Sequence, residues 1–217
     1  MTTASLLLIA MMAASSPAQR IRIVAMGDST TAGTPAFKSP VEAPPDGEGD
    51  RTSQYAYWLM SAHPEWDVLN KGVNGERSDQ IRARFERDVV GQHPSVVVVI
   101  AGVNDVYQGR PAAHVIEQLQ AMFDRARAAG IRVVAGTIVP YNTATPDQNA
   151  RMREINDWIR RQASAATGIA VADTRAAVAA PGKPDILSET VDQLHPTARG
   201  YREMAEAIRP AIEQFLR

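Results

Sequence analysis

Cysteine is absent from the 217-residue chain. That excludes a disulfide framework, thiolate zinc centres and cysteine nucleophiles. An excess of one charge is missing too, since 23 basic against 24 acidic side chains leave a net of −1. Such a chain carries no basic footprint for nucleic acid and feels no strong pull towards an anionic membrane surface. Histidine is scarce: there are four, none at helical spacing from another, so no histidine-based metal site is expected. Membrane-length apolar runs are lacking as well. The stretch Leu6 to Ala14 is wholly apolar but far short of the roughly 20 residues a spanning helix needs, so no stable membrane insertion is expected.

What is present is ordinary for a soluble globular protein, with 45% hydrophobic and 22% charged residues. The length suits one domain with a substantial core. The first 18 residues stand apart. Leu6–Ala14 is followed by Ser16-Pro17-Ala18, small residues suited to cleavage, and together they outline a secretory signal peptide whose n-region lacks Lys and Arg. Residues 1–18 are therefore set aside from the fold, residues 19–217 read as one domain, and export to the periplasm or the extracellular space is expected.

Strand-like and helix-like patterns alternate along that domain. Ile21–Met26 is rich in Ile and Val and reads as a buried strand. Asp67–Leu69, Ser95–Ile100, Ile131–Val139 and Ile169–Ala172 are the next strands, and four successive valines mark Ser95–Ile100 as a central parallel one. Helices are predicted over Gln54–Ala62, Ser78 to about Val90, Ala112–Ala129, Asp147 to about Ala166, and Pro196–Leu216. Ser78 is expected to cap the second of these, whose inner face is Ile81, Phe85 and Val89, and Gly130 closes the third. Thr34–Ser53, with its prolines and glycines, and Thr174–Val191 read as irregular. The alternation predicts a three-layer α/β/α domain around a five-stranded parallel sheet with right-handed crossovers.

Several chemistry-bearing residues fall just after these strands, on the edge where ligands of open α/β sheets bind. Gly27-Asp28-Ser29 places a hydroxyl directly after the first strand. A serine nucleophile needs a base, a group that orients the base, and donors for the oxyanion. His-Pro occurs at His63, His93 and His195, but only His195 has a carboxylate three residues earlier, in Asp192-Gln193-Leu194-His195-Pro196. Pro196 biases His195 out of the helical region and suits the first helical position itself. Asp192 can then reach Nδ1 and leave Nε2 for Ser29. His63, His93 and His114 have Met60, Val90 and Pro111 at that position and read as surface or helix-end residues. Candidate oxyanion donors are the Ser29 N–H, the Gly75 N–H in the loop after the second strand, and the Asn104 side-chain amide after the all-valine strand. Each residue alone also reads as an ordinary turn or cap.

Taken in order, the set resembles the SGNH hydrolases, also called GDSL-type esterases and lipases. The blocks are Gly27-Asp28-Ser29 with Gly33, Asn70 through Gly75, Gly102-Val103-Asn104-Asp105, and Asp192-x-x-His195-Pro196. The resemblance implies a flavodoxin-like fold, Ser29 as nucleophile, His195 as general base, Asp192 as its orienter, and Ser29, Gly75 and Asn104 as the oxyanion hole. It implies a small-molecule ester or thioester as substrate and an acyl-enzyme mechanism without metal or cofactor. Thr30, where many relatives carry leucine, and the long Thr34–Ser53 segment are departures. The α/β-hydrolase elbow G-x-S-x-G is excluded because Thr31 fills its fifth position. Acyl transfer at the same site, or a silent carbohydrate- or lipid-binding module on this fold, would use the same residues. Tyr107 and Tyr141, on loops leaving the same edge, are candidate substrate-binding residues, and Thr34–Ser53 is a candidate pocket wall.

Overall fold

The computed structural model describes residues 20–217, so the expected signal peptide at 1–18 lies outside the described residues. In chain order the first elements are β1 (Ile21–Gly27), α1 (Ser29–Ala32), β2 (Phe37–Lys38), β3 (Glu48–Gly49), α2 (Tyr55–Ala62) and β4 (Trp66–Gly72). Then come α3 (Ser78–Ala83), α4 (Phe85–Asp88), β5 (Val96–Ile100), α5 (Val103–Tyr107), α6 (Ala112–Ala128) and β6 (Arg132–Gly136). The chain finishes with α7 (Pro146–Arg161), β7 (Ile169–Ala172), α8 (Thr174–Val178), β8 (Ala179–Ala180), β9 (Lys183–Leu187) and α9 (Ala198–Leu216).

Five of the strands form one parallel sheet in the order β4-β1-β5-β6-β7. The order reverses beside β1, which is the switch point where open α/β sheets form their ligand crevice. Register brings the strand ends level there, because Gly27 pairs with both Gly72 of β4 and Ile100 of β5. Everything that leaves β1, β4 and β5 therefore emerges at one edge.

Strand alternation explains why β5 reads as a continuous apolar run. Val97 and Val99 face one layer, with Ile81, Phe85, Val115, Leu119, Met152 and Ile155 of the helices. Val96, Val98 and Ile100 face the other, with Tyr55, Leu59, Tyr201, Met204 and Ile208. A strand buried on both faces has no polar face to alternate with. Each fully buried Val or Ile contributes roughly 1.5–3 kcal/mol, so the two layers hold the sheet edge rigidly.

Several boundaries differ from the sequence expectation, each for a local reason. The helix expected from Ser78 to about Val90 breaks at Arg84, whose backbone leaves the helical region at φ −103°, ψ 4° as its side chain turns inward. Arg77 occupies the cap position, and the Ser78 hydroxyl donates to Asp105 instead. The strand expected to reach Val139 ends at Gly136, because Ile138 exchanges backbone bonds with the Asn156 side chain at 2.7 and 2.9 Å. Helix α7 stops at Arg161, short of Ala166, where Ser164 N–H pairs with the Ile169 carbonyl and Gly168 turns the chain at φ 67°. Thr197 caps the last helix, so Pro196 lies outside it. Thr34–Ser53 contains the β2–β3 hairpin, anchored by buried Phe37, and Thr174–Val191 contains α8 and the β8–β9 hairpin.

Candidate active site

The turn after β1 is built by Asp28. Its Oδ1 accepts the Thr30 N–H at 2.9 Å, and its carbonyl accepts the N–H groups of Thr31 and Ala32 at 3.0 and 2.9 Å. Gly33, at φ 107°, ends the single helical turn. Ser29 sits at the first position of that turn, where a backbone N–H has no intrahelical acceptor. Among the described residues this N–H makes no hydrogen bond. Asp28 itself is buried and its Oδ2 has no partner among the described residues. Burial pushes its carboxyl up to about 7, against the Thr30 hydrogen bonds that favour the charged form, with the Asp105 and Glu76 charges adding to the rise.

His195 arrives from the other end of the chain. Asp192 Oδ1 accepts the N–H groups of Leu194 and His195 at 2.9 and 2.8 Å, which folds 192–195 into a tight loop with Gln193 at φ 68°. Its Oδ2 lies 2.7 Å from His195 Nδ1, and His195 Nε2 lies 2.9 Å from Ser29 Oγ. Burial works against the Asp192 charge, but hydrogen bonds from the His195 ring and from the two N–H groups prevail and hold its carboxyl below the usual range. An ionised Asp192 accepts only, so Nδ1 carries the proton and Nε2 is free to accept from the serine hydroxyl. The loop is pinned to the body by the Asn142 N–H on the Gln193 carbonyl at 2.7 Å.

The remaining expected donors lie on the segments that follow β4 and β5. Gly102, at φ 122°, has no room for a side chain beside Val115 and Ile138, and it turns the chain into α5. Asn104 Nδ2 donates one hydrogen to the Glu76 carbonyl at 2.9 Å, leaving the other unspent. Gly75 is exposed in the left-handed region at φ 78°, and its N–H makes no hydrogen bond among the described residues. A cleft of about 190 Å³ is lined by Ser29, Thr30, Asn74, Val103, Asn104, Tyr107, Tyr141, Leu194 and His195. Gly75 is outside that lining, next to Asn74. Tyr107 is 59% exposed, and its ring meets that of buried Tyr141 edge-on at 6.0 Å. Larger hollows, such as one of about 830 Å³ between Arg132 and Phe215, contain none of these residues.

Thr34–Ser53 contributes nothing to the lining, which corrects its expected role as a wall. It braces the turn after β4 instead: Ser39 Oγ donates to the Gly72 carbonyl at 2.6 Å, and Glu42 accepts the Asn74 N–H at 2.9 Å. Other supports were not singled out from the sequence. Asp105, fully buried, accepts both the N–H and the hydroxyl of Ser78 at 2.8 Å. Asn70 ties Ala32, Gln54 and Gly72 together. Arg84 bonds the Gly27 carbonyl and Glu76. The only available signal was their position inside the blocks around Gly75 and Asn104, or, for Arg84, a cation three residues after buried Ile81.

Asp79, Asp105 and His114 also converge, with ligand-type atoms within 4.8 Å of one another. Asp79 already pairs with Arg77 through both oxygens and Asp105 with Ser78 through both of its own, which leaves His114 Nε2, 3.8 Å from Asp105 Oδ1, without a hydrogen-bond partner among the described residues. Of the other histidines, His63 stacks on Trp66 and bridges Glu65 and Glu213, and His93 ends a turn at φ 51°.

With this geometry in view, comparison with known proteins is direct. Residues 25–203 match the model of the GDSL-like lipase/acylhydrolase family. An acetylxylan esterase of Geobacillus stearothermophilus is 28% identical over 187 residues, covering 76% of this chain and 84% of that protein. A Bacillus subtilis (strain 168) protein named as an uncharacterized lipoprotein, YqeF, is 27% identical over 125 residues, 54% of this chain and 48% of its own length. Among solved structures, a GDSL-like lipase from Bacteroides thetaiotaomicron VPI-5482 superposes with a TM-score of 0.71 at 24% identity, covering 91% of this chain and 92% of that one. The chain belongs to the GDSL-like lipase/acylhydrolase family and has the SGNH hydrolase fold. It is a serine ester hydrolase.

Proposed function

We propose that Ser29, His195 and Asp192 perform this hydrolysis through an acyl-enzyme. His195 Nε2 takes the hydroxyl proton as Ser29 Oγ bonds to the ester carbonyl carbon, and the developing oxyanion meets the N–H groups of Ser29 and Gly75 and the free amide hydrogen of Asn104. The C–O bond to the alcohol then breaks, with His195 returning the proton to the leaving oxygen. Water, deprotonated by the same imidazole, releases the acid and restores Ser29. The observation that carries this reading is the unbroken relay from Asp192 through His195 to Ser29, at 2.7 and 2.9 Å.

The substrate in this reading is a short acyl ester of a carbohydrate. The cleft of about 190 Å³ suits an acetyl group better than a long chain. Tyr107 and Tyr141 border it, and the exposed Tyr107 ring offers a face for a sugar. The resemblance to an acetylxylan esterase points the same way. Residues 19–217 act as one domain, exported after removal of 1–18; the lipoprotein relative supports export, and no helix among the described residues is long and apolar enough to cross a membrane. A fluorophosphonate should label one residue, located at Ser29 by mass spectrometry, and p-nitrophenyl acetate should be turned over faster than the octanoate. Labelling elsewhere would reject the nucleophile, and a preference for octanoate would reject the acetyl reading.

A further inference from the structure

Arg84 is almost fully buried, with its side chain 8% exposed, yet it lies away from the cleft. A buried guanidinium must find acceptors for its donors. Arg84 Nη2 donates to the Gly27 carbonyl at 3.0 Å, Nε to Glu76 Oε2 at 2.7 Å, and Nη1 to Asp88 Oδ2 at 3.0 Å, with Met26 Sδ 3.5 Å away. Gly27 is the residue before Asp28-Ser29. Glu76 follows Gly75, and its carbonyl holds the Asn104 amide. The Gly27 carbonyl also accepts the Val73 N–H at 3.2 Å. One rigid fork thus spans the end of the nucleophile strand and the loop that carries one of the three proposed oxyanion donors, Gly75, and holds a second, the Asn104 amide, through the Glu76 carbonyl.

We infer that Arg84 is a positioning residue for the oxyanion hole, fixing the Val73–Glu76 loop and, through the Glu76 carbonyl, the Asn104 amide against the end of β1. Two features favour this over a role in stability alone. The helix expected to run on from Ser78 is broken at Arg84 itself, so the backbone gives up a regular turn to aim the guanidinium inward. The planar fork reaches acceptors from β1, the 73–76 loop and α4 at once, which a hydrophobic residue of similar volume or a lysine could not do. Asp88, the third partner, is also held by Arg87, so the pair with Asp88 alone does not require Arg84.

The inference rests on the reading of Gly75 and Asn104 as oxyanion donors, and a double-mutant cycle separates the two. Arg84→Lys, Asn104→Ala and the double variant are assayed on p-nitrophenyl acetate, with thermal unfolding followed for each. Loosening a donor by about 1 Å costs on the order of 100-fold, so Arg84→Lys should unfold cooperatively, lose roughly 10- to 100-fold in kcat and keep its KM. The double variant should lose clearly less than the product of the two single losses, because Arg84 acts in part through the Asn104 amide. If Arg84→Lys fails to fold, Glu76→Gln tests the same bridge and should show the same kcat loss and the same coupling. An unchanged kcat in the folded variant, or a double variant whose losses multiply, overturns the inference while leaving the oxyanion hole intact. An unchanged Asn104→Ala overturns the oxyanion reading and the inference with it.

Discussion

The base side and the oxyanion side of the site are held by opposite means. His195 is oriented by a carboxylate three residues away, and the same carboxylate caps the loop through the N–H groups of Leu194 and His195. That unit is local and a third of the Asp192 side chain meets solvent. The oxyanion side depends on partners far apart in sequence, two pairs buried, Arg84 with Gly27 and Ser78 with Asp105, and one half-buried, Asn104 with the Glu76 carbonyl. A local loop can orient its histidine wherever it is docked. The donors come into register only when β1, β4 and β5 are packed side by side. Disturbance of the core should therefore reach the oxyanion donors before it reaches the imidazole.

Removing the reacting groups erases the difference and gives the largest effects. Ser29→Ala or His195→Ala should lower kcat/KM by roughly 10⁴–10⁶-fold, with folding unaffected, as read by esterase assay and circular dichroism. Activity within tenfold of the parent would end the assignment. Asp192→Asn should cost less, about 10³–10⁴-fold, because the relay survives in shape but presents the wrong tautomer. Its unfolding midpoint should move little, since the carboxylate is partly solvated. A large loss of stability would mean that the base side is not the self-contained unit it appears from its bonding.

Next in size is Asn104→Ala, expected at about 10²–10³-fold in kcat. A loss of only twofold would remove Asn104 from the oxyanion set. The comparison sharpens if Ser78→Ala is measured alongside. It deletes the hydroxyl on buried Asp105, should cost about 1–3 kcal/mol by denaturant titration, and should lower kcat through the α5 segment that carries Asn104. Stability lost with kcat unchanged would show that the buried clamps serve folding alone.

The same contrast explains what could be read in advance. Strand ends followed by Gly, Asn, Ser or Asp locate the sheet edge, and Asp192-x-x-His195 is a pattern whose partners sit within one turn. The five strands and their alternation with helices follow from apolar period and from the valine run. The supports were hidden because side-chain bonds to distant backbone leave no periodic trace. Arg84 looks like a surface cation pairing with Asp88 at i,i+4, although its spacing from Ile81 puts it on the inner face. Ser78 looks like a cap, and its partner is 27 residues away. Thr34–Ser53 reads as a pocket wall because it leaves the same strand edge as Ser29, whereas its bonds go to Gly72 and Asn74.

The last and smallest expected effect is on stability rather than rate, and it separates the two sides by pH through their aspartates. Asp28 and Asp192 are shifted in opposite directions. Asp28 keeps its proton up to about 7 in the fold, whereas an unfolded chain gives it up near the ordinary 3.8. Between those values the unfolded state binds fewer protons, so this group makes stability fall as pH rises from about 4 to about 7, after which its effect is constant. Asp192 is lowered, so the stability it contributes is fully present above its unfolded value and is lost only as pH falls through its folded value, below the ordinary carboxylate range. The two windows do not overlap. Asp28→Asn keeps an oxygen for the Thr30 N–H and cannot ionise, so its unfolding temperature should be flatter than the parent's between pH 4 and 7 and should exceed it at pH 8. Asp192→Asn should leave that neutral limb alone and flatten only the acid one. Identical slopes for Asp28→Asn and the parent from pH 4 to 7 would mean that Asp28 is charged in the folded protein, and that its unpartnered oxygen is satisfied by another donor.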